Sequence, residues 1–134
     1  VIWDPFFAAA EDQIGARVIA TGENLVSNHQ FYLADRKFAE QHPQVLNTVV
    51  NELNSTTAWV AKNPDQASKL LEKPTGLSFN VLKSSISRMG FGVSPISAQV
   101  AKEQQYVADA FYQQKLIPNQ INIQAAILST TSEK

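Results

Sequence analysis

Val1-Ile2-Trp3-Asp4-Pro5-Phe6-Phe7-Ala8-Ala9-Ala10 opens the chain and contains a change of texture. The triplet Val1-Ile2-Trp3 is β-branched and aromatic, the composition of a strand. Asp4 before Pro5 signals a helix start, because Asp caps helix N-termini and Pro suits the first helical position. Phe6 and Phe7 with Ala8, Ala9 and Ala10 continue that helix, and Gly15 stops it. Arg17-Val18-Ile19-Ala20 reads as a second strand. Residues 21–30 form a polar loop containing Gly22, Asn24, Ser27 and Asn28. Phe31-Tyr32-Leu33-Ala34 reads as a third strand. Residues 1–34 thus follow a β-α-β-loop-β order, an α/β pattern. The first strand has nothing before it to pair with, so the chain reads as a C-terminal fragment of something larger.

Beyond residue 35 helices take over. A short turn over residues 36–41 is punctuated by His42-Pro43. Residues 44–62 place Leu46, Val49, Val50, Leu53, Thr57 and Val60 at helical spacing on one face. Asn63-Pro64-Asp65 ends this helix, and Asp65 can cap the next, with Ala67, Leu70 and Leu71 inward. Pro74-Thr75-Gly76 breaks the chain, and Ser78 caps a helix to about Arg88. Residues 89–95 form a Gly/Pro loop. Ser97 caps a long helix to Lys115 with Val100, Val107, Ala108, Phe111 and Leu116 inward. A short helix near residues 121–127 precedes a frayed tail over 129–134. Trp59, Phe79, Phe111 and Tyr112 read as core. The fragment is therefore expected to be mostly helical, with a few strands at its N-terminal end.

Composition removes several functions. The 134 residues carry 11 Lys and Arg against 12 Asp and Glu, a net charge of −1, so a nucleic-acid surface is not indicated. No apolar stretch reaches the ~20 residues that would insert in a bilayer. Cys is absent, which removes disulfides, thiolate zinc and Cys nucleophiles. His29 and His42 stand alone, without patterned carboxylates, so no metal site is expected. No phosphate-binding or dinucleotide fingerprint, no nucleophile elbow and hence no catalytic residue is read here. No cofactor is expected.

Several motifs occur in a fixed order. Ile2-Trp3-Asp4-Pro5-Phe6 is followed by Gly15-Ala16-Arg17-Val18-Ile19. Asn28-His29-Gln30-Phe31-Tyr32-Leu33-Ala34 comes next, followed by Phe38-Ala39-Glu40-Gln41-His42-Pro43. Trp59-Val60-Ala61, Asn63-Pro64-Asp65-Gln66-Ala67 and Val107-Ala108-Asp109-Ala110-Phe111-Tyr112 complete the series. This order, over roughly residues 1–128, resembles periplasmic substrate-binding proteins of ABC transporters in the nitrate/sulfonate/taurine group, in their C-terminal half.

The resemblance implies an α/β, two-lobed periplasmic binding protein fold of type II. By analogy, residues 1–28 end the second lobe, residues 29–35 form the return hinge crossing, and residues 36–134 are the helical C-terminal part of the first lobe. The ligand would lie between lobes, at strand ends. Trp3 would face that cleft and pack on the ligand's organic part, or else lie in the core. Asp4 is a helix cap first; its charge would repel an anion's head but suits a substrate hydroxyl or amine. Asn28, His29 and Gln30 supply the neutral N–H donors that a tetrahedral oxyanion wants, or else make an ordinary polar loop. His29 would also let pH tune binding. His42 reads as a surface residue at a helix end.

The implied function is capture of an aliphatic or aryl sulfonate, or a related small oxyanion, in the periplasm and its delivery to ABC permease subunits in the membrane. Two other readings compete. The same fold hosts enzymes that cleave sulfinates or make the thiamine pyrimidine, and it serves as a ligand-sensing domain of regulators. Unpaired strand edges at residues 1–3 or 31–34 would further suggest a paired or swapped dimer.

Overall fold

Short helices with legible ends build the molecule, a computed structural model that describes residues 1–23 and 25–128. They are α1 (Phe6–Ile14), α2 (Arg36–Gln41), α3 (Pro43–Lys62), α4 (Pro64–Thr75), α5 (Phe79–Ser87) and α6 (Ala98–Gln113), followed by a 3-10 turn at Ile123–Ala126. The tail expected over 129–134 lies outside the described residues. Two compact units divide the chain. One comprises Val1–Thr21 and Asn47–Val93, the other Gly22–Leu46 and Ser94–Lys134.

Most capping signals act as the sequence suggested, but α1 starts at Phe6 and its cap position belongs to Pro5, not Asp4. Gly15 ends α1 in the left-handed region (φ 61°), its N–H donating to Ala10 O. Ser78 and Ser97 accept from the amides of Val81 and Val100 at the starts of α5 and α6. Asp35, not anticipated as a cap, accepts from Phe38 N–H at 3.0 Å and starts α2. At the head of α4 the cap position belongs to Asn63, with Pro64 as the first residue and Asp65 inside the first turn. Pro74 does not break α4, because a proline ring near the C-terminal end forfeits little; Gly76 stops it instead (φ 70°).

In the first unit α5 packs on α4 and on α1. Ala8 on α1, Ala67 and Ser68 on α4, and Val81, Leu82, Ser85 and Ile86 on α5 are buried. The small side chains among them allow the helix backbones to approach. Ser68 Oγ–H donates to Pro64 O at 2.7 Å, so its hydroxyl is satisfied within its own helix. In the second unit Ala39 on α2 and Ala101 on α6 are the buried residues among those described, and α6 packs on the 3-10 turn. There Gln105 ties the chain back. Its Nε2 donates to Ile121 O at 2.8 Å and its Oε1 accepts from Ile123 N–H at 2.9 Å.

Several expectations fail. Among the described residues no strand forms at 1–3, 17–20 or 31–34. Strand composition expresses a preference, but a ladder needs a neighbouring extended segment to take its N–H and C=O groups. None is supplied by the described residues, and Ile2, Ile19 and Leu33 stay exposed. The apolar faces expected inside are only partly covered: Leu70, Leu71, Val107, Phe111, Leu116, Trp59 and Tyr112 are exposed, as are Val49 and Val50. Helical periodicity identifies a face; what lies against that face is set by tertiary packing.

Candidate functional site

Asp4 is held from two sides. Its Oδ1 accepts from Ala8 N–H at 3.1 Å, one turn into α1. Its Oδ2 lies 3.5 Å from Arg88 Nε. The carboxylate therefore holds an amide of the first turn of α1 from outside the cap position while sharing a cation, which lowers its repulsion of a nearby anion. Arg88, at the end of α5, serves more than Asp4. Its Nη2 donates to Glu11 Oε2 at 2.6 Å, and its guanidinium lies 4.0 Å from the Phe7 ring centroid. These contacts join the head of α1 to α5. Trp3 precedes this junction. It is 68% exposed, so it is not a core residue of the chain, and it meets Phe6 edge to face at 6.1 Å.

Asn28, His29 and Gln30 lie in the second unit, in an exposed stretch without regular structure. His29 Nε2 stands 2.9 Å from Glu103 Oε2 on α6. Gln99, one turn before, donates from Nε2 to Glu103 Oε1 at 2.7 Å. Hydrogen bonds from Gln99 and then His29, against a smaller opposing effect of desolvation and with help from Ser27, hold the Glu103 carboxyl below the usual carboxylate range. The Phe31 ring lies 6.4 Å from the imidazole.

The sequence-predicted residues thus form two groups, Trp3 and Asp4 in one unit and Asn28, His29 and Gln30 in the other. Arg88 and Glu103 escaped the sequence reading. Each lies more than seventy positions from its partner, Glu11 for Arg88 and His29 for Glu103. Only the Gln99–Glu103 spacing of one helical turn was visible beforehand. His42 sits at the C-terminal end of α2 with its ring 5.0 Å from Phe38, as a helix-end residue. Among the described residues no group of His, Asp and Glu could hold a metal ion. An open apolar groove of about 180 Å³ beside α6, lined by Val107, Ala108, Phe111, Ile117, Ile121 and Ile123, contains none of the predicted residues.

Comparison with known proteins supplies the frame for these groups. No protein-family profile matches the chain. An aliphatic sulfonates-binding protein of Escherichia coli strain K12 is 34% identical over 131 residues, 97% of this chain and 41% of its own length. One from Bacillus subtilis strain 168 is 25% identical over 134 residues, 99% of this chain and 40% of its own. The crystal structure of the periplasmic aliphatic sulphonate binding protein of Escherichia coli superposes with a TM-score of 0.91 at 34% identity, covering 99% of this chain and 44% of that one. The alkanesulfonate-binding protein of Xanthomonas axonopodis pv. citri, bound to MOPS, gives a TM-score of 0.86 at 31% identity over 96% of this chain and 45% of its own.

The fold is therefore that of a C-terminal part of a two-lobed periplasmic solute-binding protein. More particularly, the chain is homologous along its length to aliphatic-sulfonate-binding proteins, which are named for binding and not for catalysis. It spans about two fifths of the length of these curated relatives. Among the described residues no helix is long and apolar enough to cross a membrane.

Proposed function

We propose that the protein carrying this chain captures an alkyl or aryl sulfonate in the periplasm and delivers it to the membrane subunits of an ABC importer. The observation that carries this reading is the 34% identity to a sulfonates-binding protein over 97% of the chain. In this reading Trp3 packs on the organic part of the ligand, with the exposed Trp3–Phe6 pair offering an aromatic surface for it. Asp4, neutralised in part by Arg88, holds the turn that presents Trp3 and remains available to a ligand hydroxyl or amine. Asn28, His29 and Gln30 supply donors to the sulfonate oxygens. Closure of two lobes would exclude water and strengthen those donors, and the closed form would be the one the permease accepts.

The lobe assignment belongs to the same proposal: residues 1–28 in the second lobe, 29–35 in the return crossing and 36–134 in the first lobe. The packing of α1 on α5 is the observation that this assignment must accommodate, because it joins residues from both sides of the crossing. A paired or swapped dimer forms no part of the proposal.

Calorimetric titration of the full-length protein with alkanesulfonates, taurine, nitrate and bicarbonate tests the function. Saturable binding strongest for an alkanesulfonate is expected. Absence of sulfonate binding, or preference for nitrate or bicarbonate, would overturn it.

A further inference from the structure

Glu103 decides which face His29 offers to a ligand. An ionised carboxylate only accepts hydrogen bonds. Glu103 is kept ionised by Gln99 and its neighbours, so its 2.9 Å contact with His29 requires the hydrogen to be on Nε2. A neutral imidazole carries one ring hydrogen. With that hydrogen given to Glu103, Nδ1 presents a lone pair, which repels a sulfonate oxygen. Only the imidazolium has an Nδ1–H to donate. On this geometry His29 would donate to an anion as the imidazolium, in place of the neutral donor expected from the sequence.

We propose that Glu103 is a positioning residue that restricts His29 to anion binding in its protonated form, so that sulfonate capture by this loop takes up one proton. The proposal rests on the sulfonate-binding reading. The proton comes from solvent and forms the Nδ1–H bond; the Nε2–H bond to Glu103 is kept. The His29–Glu103 pair then has no net charge, and the anion meets an oriented dipole beside the neutral amides of Asn28 and Gln30. On α6 the groups turned to this contact are Glu103 and, through it, Gln99; on the loop they are Ser27, which helps to lower the Glu103 carboxyl, and the uncharged Phe31 ring. Among the described residues Glu103 is the titratable group bonded to His29.

The test uses the full-length protein with methanesulfonate as the probe. Long-range 1H–15N spectra at pH 8 read the tautomer of His29. Calorimetry at pH 6 and pH 8, in two buffers of different ionisation enthalpy, counts the protons taken up. One linked proton changes affinity by up to about tenfold per pH unit. The Nε2–H tautomer is expected, with binding at least about fivefold tighter at pH 6. In Glu103→Gln the side-chain amide can instead donate to Nε2, which frees Nδ1–H in the neutral ring. The pH ratio should then fall below about twofold. An Nδ1–H tautomer in the unmodified protein would overturn the proposal. So would pH-independent affinity without proton uptake. Absence of methanesulfonate binding at every pH would overturn the sulfonate reading with it, and differs from failure of the coupling alone, which shows as binding of constant affinity.

Discussion

The two units solve the same problem with different means. The first buries side chains: Leu82, Val81 and Ile86 on α5 close against α4 and α1, with Ala8, Ala67, Ser68 and Ser85 filling the small spaces. The second buries Ala39 and Ala101 among its described residues and relies on polar bridges. Gln105 reaches back to residues 121 and 123, Arg36 Nη2 donates to Ala125 O, and His29 meets Glu103. Burial of an apolar side chain is worth about 1.5–3 kcal/mol, whereas a hydrogen bond exposed to water nets about 1 kcal/mol or less. The first unit is therefore fixed by its core. The second is fixed by contacts that solvent, pH and ligands can contest, and it is the unit that carries the three amide and imidazole donors.

Core truncation should separate the units most sharply. Leu82→Ala should cost about 2–5 kcal/mol, while Phe111→Ala, at an exposed position of α6, should cost about 1 kcal/mol or less. Urea unfolding with a fixed slope checks both. Equal losses would erase the comparison. Arg88→Ala comes next. It removes the Glu11 and Asp4 pairs and the stacking on Phe7, so a loss of about 1–2 kcal/mol is expected, with a change in Trp3 fluorescence because the head of α1 is released. An unaltered Trp3 signal would detach Arg88 from that turn.

Helix ends were the most legible part of the molecule. Gly15, Gly76, Ser78 and Ser97 act locally, within one turn, and the sequence places those partners in view. The strands at 1–3, 17–20 and 31–34 were misread because a strand is completed by distant backbone, which composition does not contain. The same distance hid Arg88 and Glu103. Their partners on α1 and on the loop before residue 31 are brought together by folding alone. The site residues Trp3, Asp4, Asn28, His29 and Gln30 were named through a resemblance of motif order, and the structure adds what holds Asp4 and His29.

Smaller effects sharpen the contrast. Ser97→Ala removes the acceptor of Val100 N–H and should cost the second unit about 1 kcal/mol. Local amide exchange in the first turn of α6 should rise, while α4 and α5 stay protected; uniform acceleration across α4, α5 and α6 would erase the contrast. Acidification should have the mildest effect. The Glu103 carboxyl is depressed in the folded chain, so its contribution is present above the ordinary carboxylate range and is lost only as pH falls through its lowered value. His29 ring resonances should report loss of the contact at a pH below the ordinary carboxylate range. Loss at the ordinary carboxylate midpoint would show that Gln99 and His29 do not hold Glu103.

The share of the relatives' length that this chain covers, about two fifths, bears most directly on function. If residues 1–134 supply only one wall of a sulfonate site, by themselves they leave the anion hydrated, with its donors competing against water. Titration of an alkanesulfonate into residues 1–134 and into the full-length protein, followed by backbone amide shifts, measures this. The full-length protein should saturate, and Trp3→Ala within it should weaken binding by roughly 5- to 150-fold, the equivalent of ~1–3 kcal/mol. Residues 1–134 should give no shift that saturates below millimolar ligand. Saturable micromolar binding by residues 1–134, mapped to Trp3, Asn28, His29 and Gln30, would contradict the account.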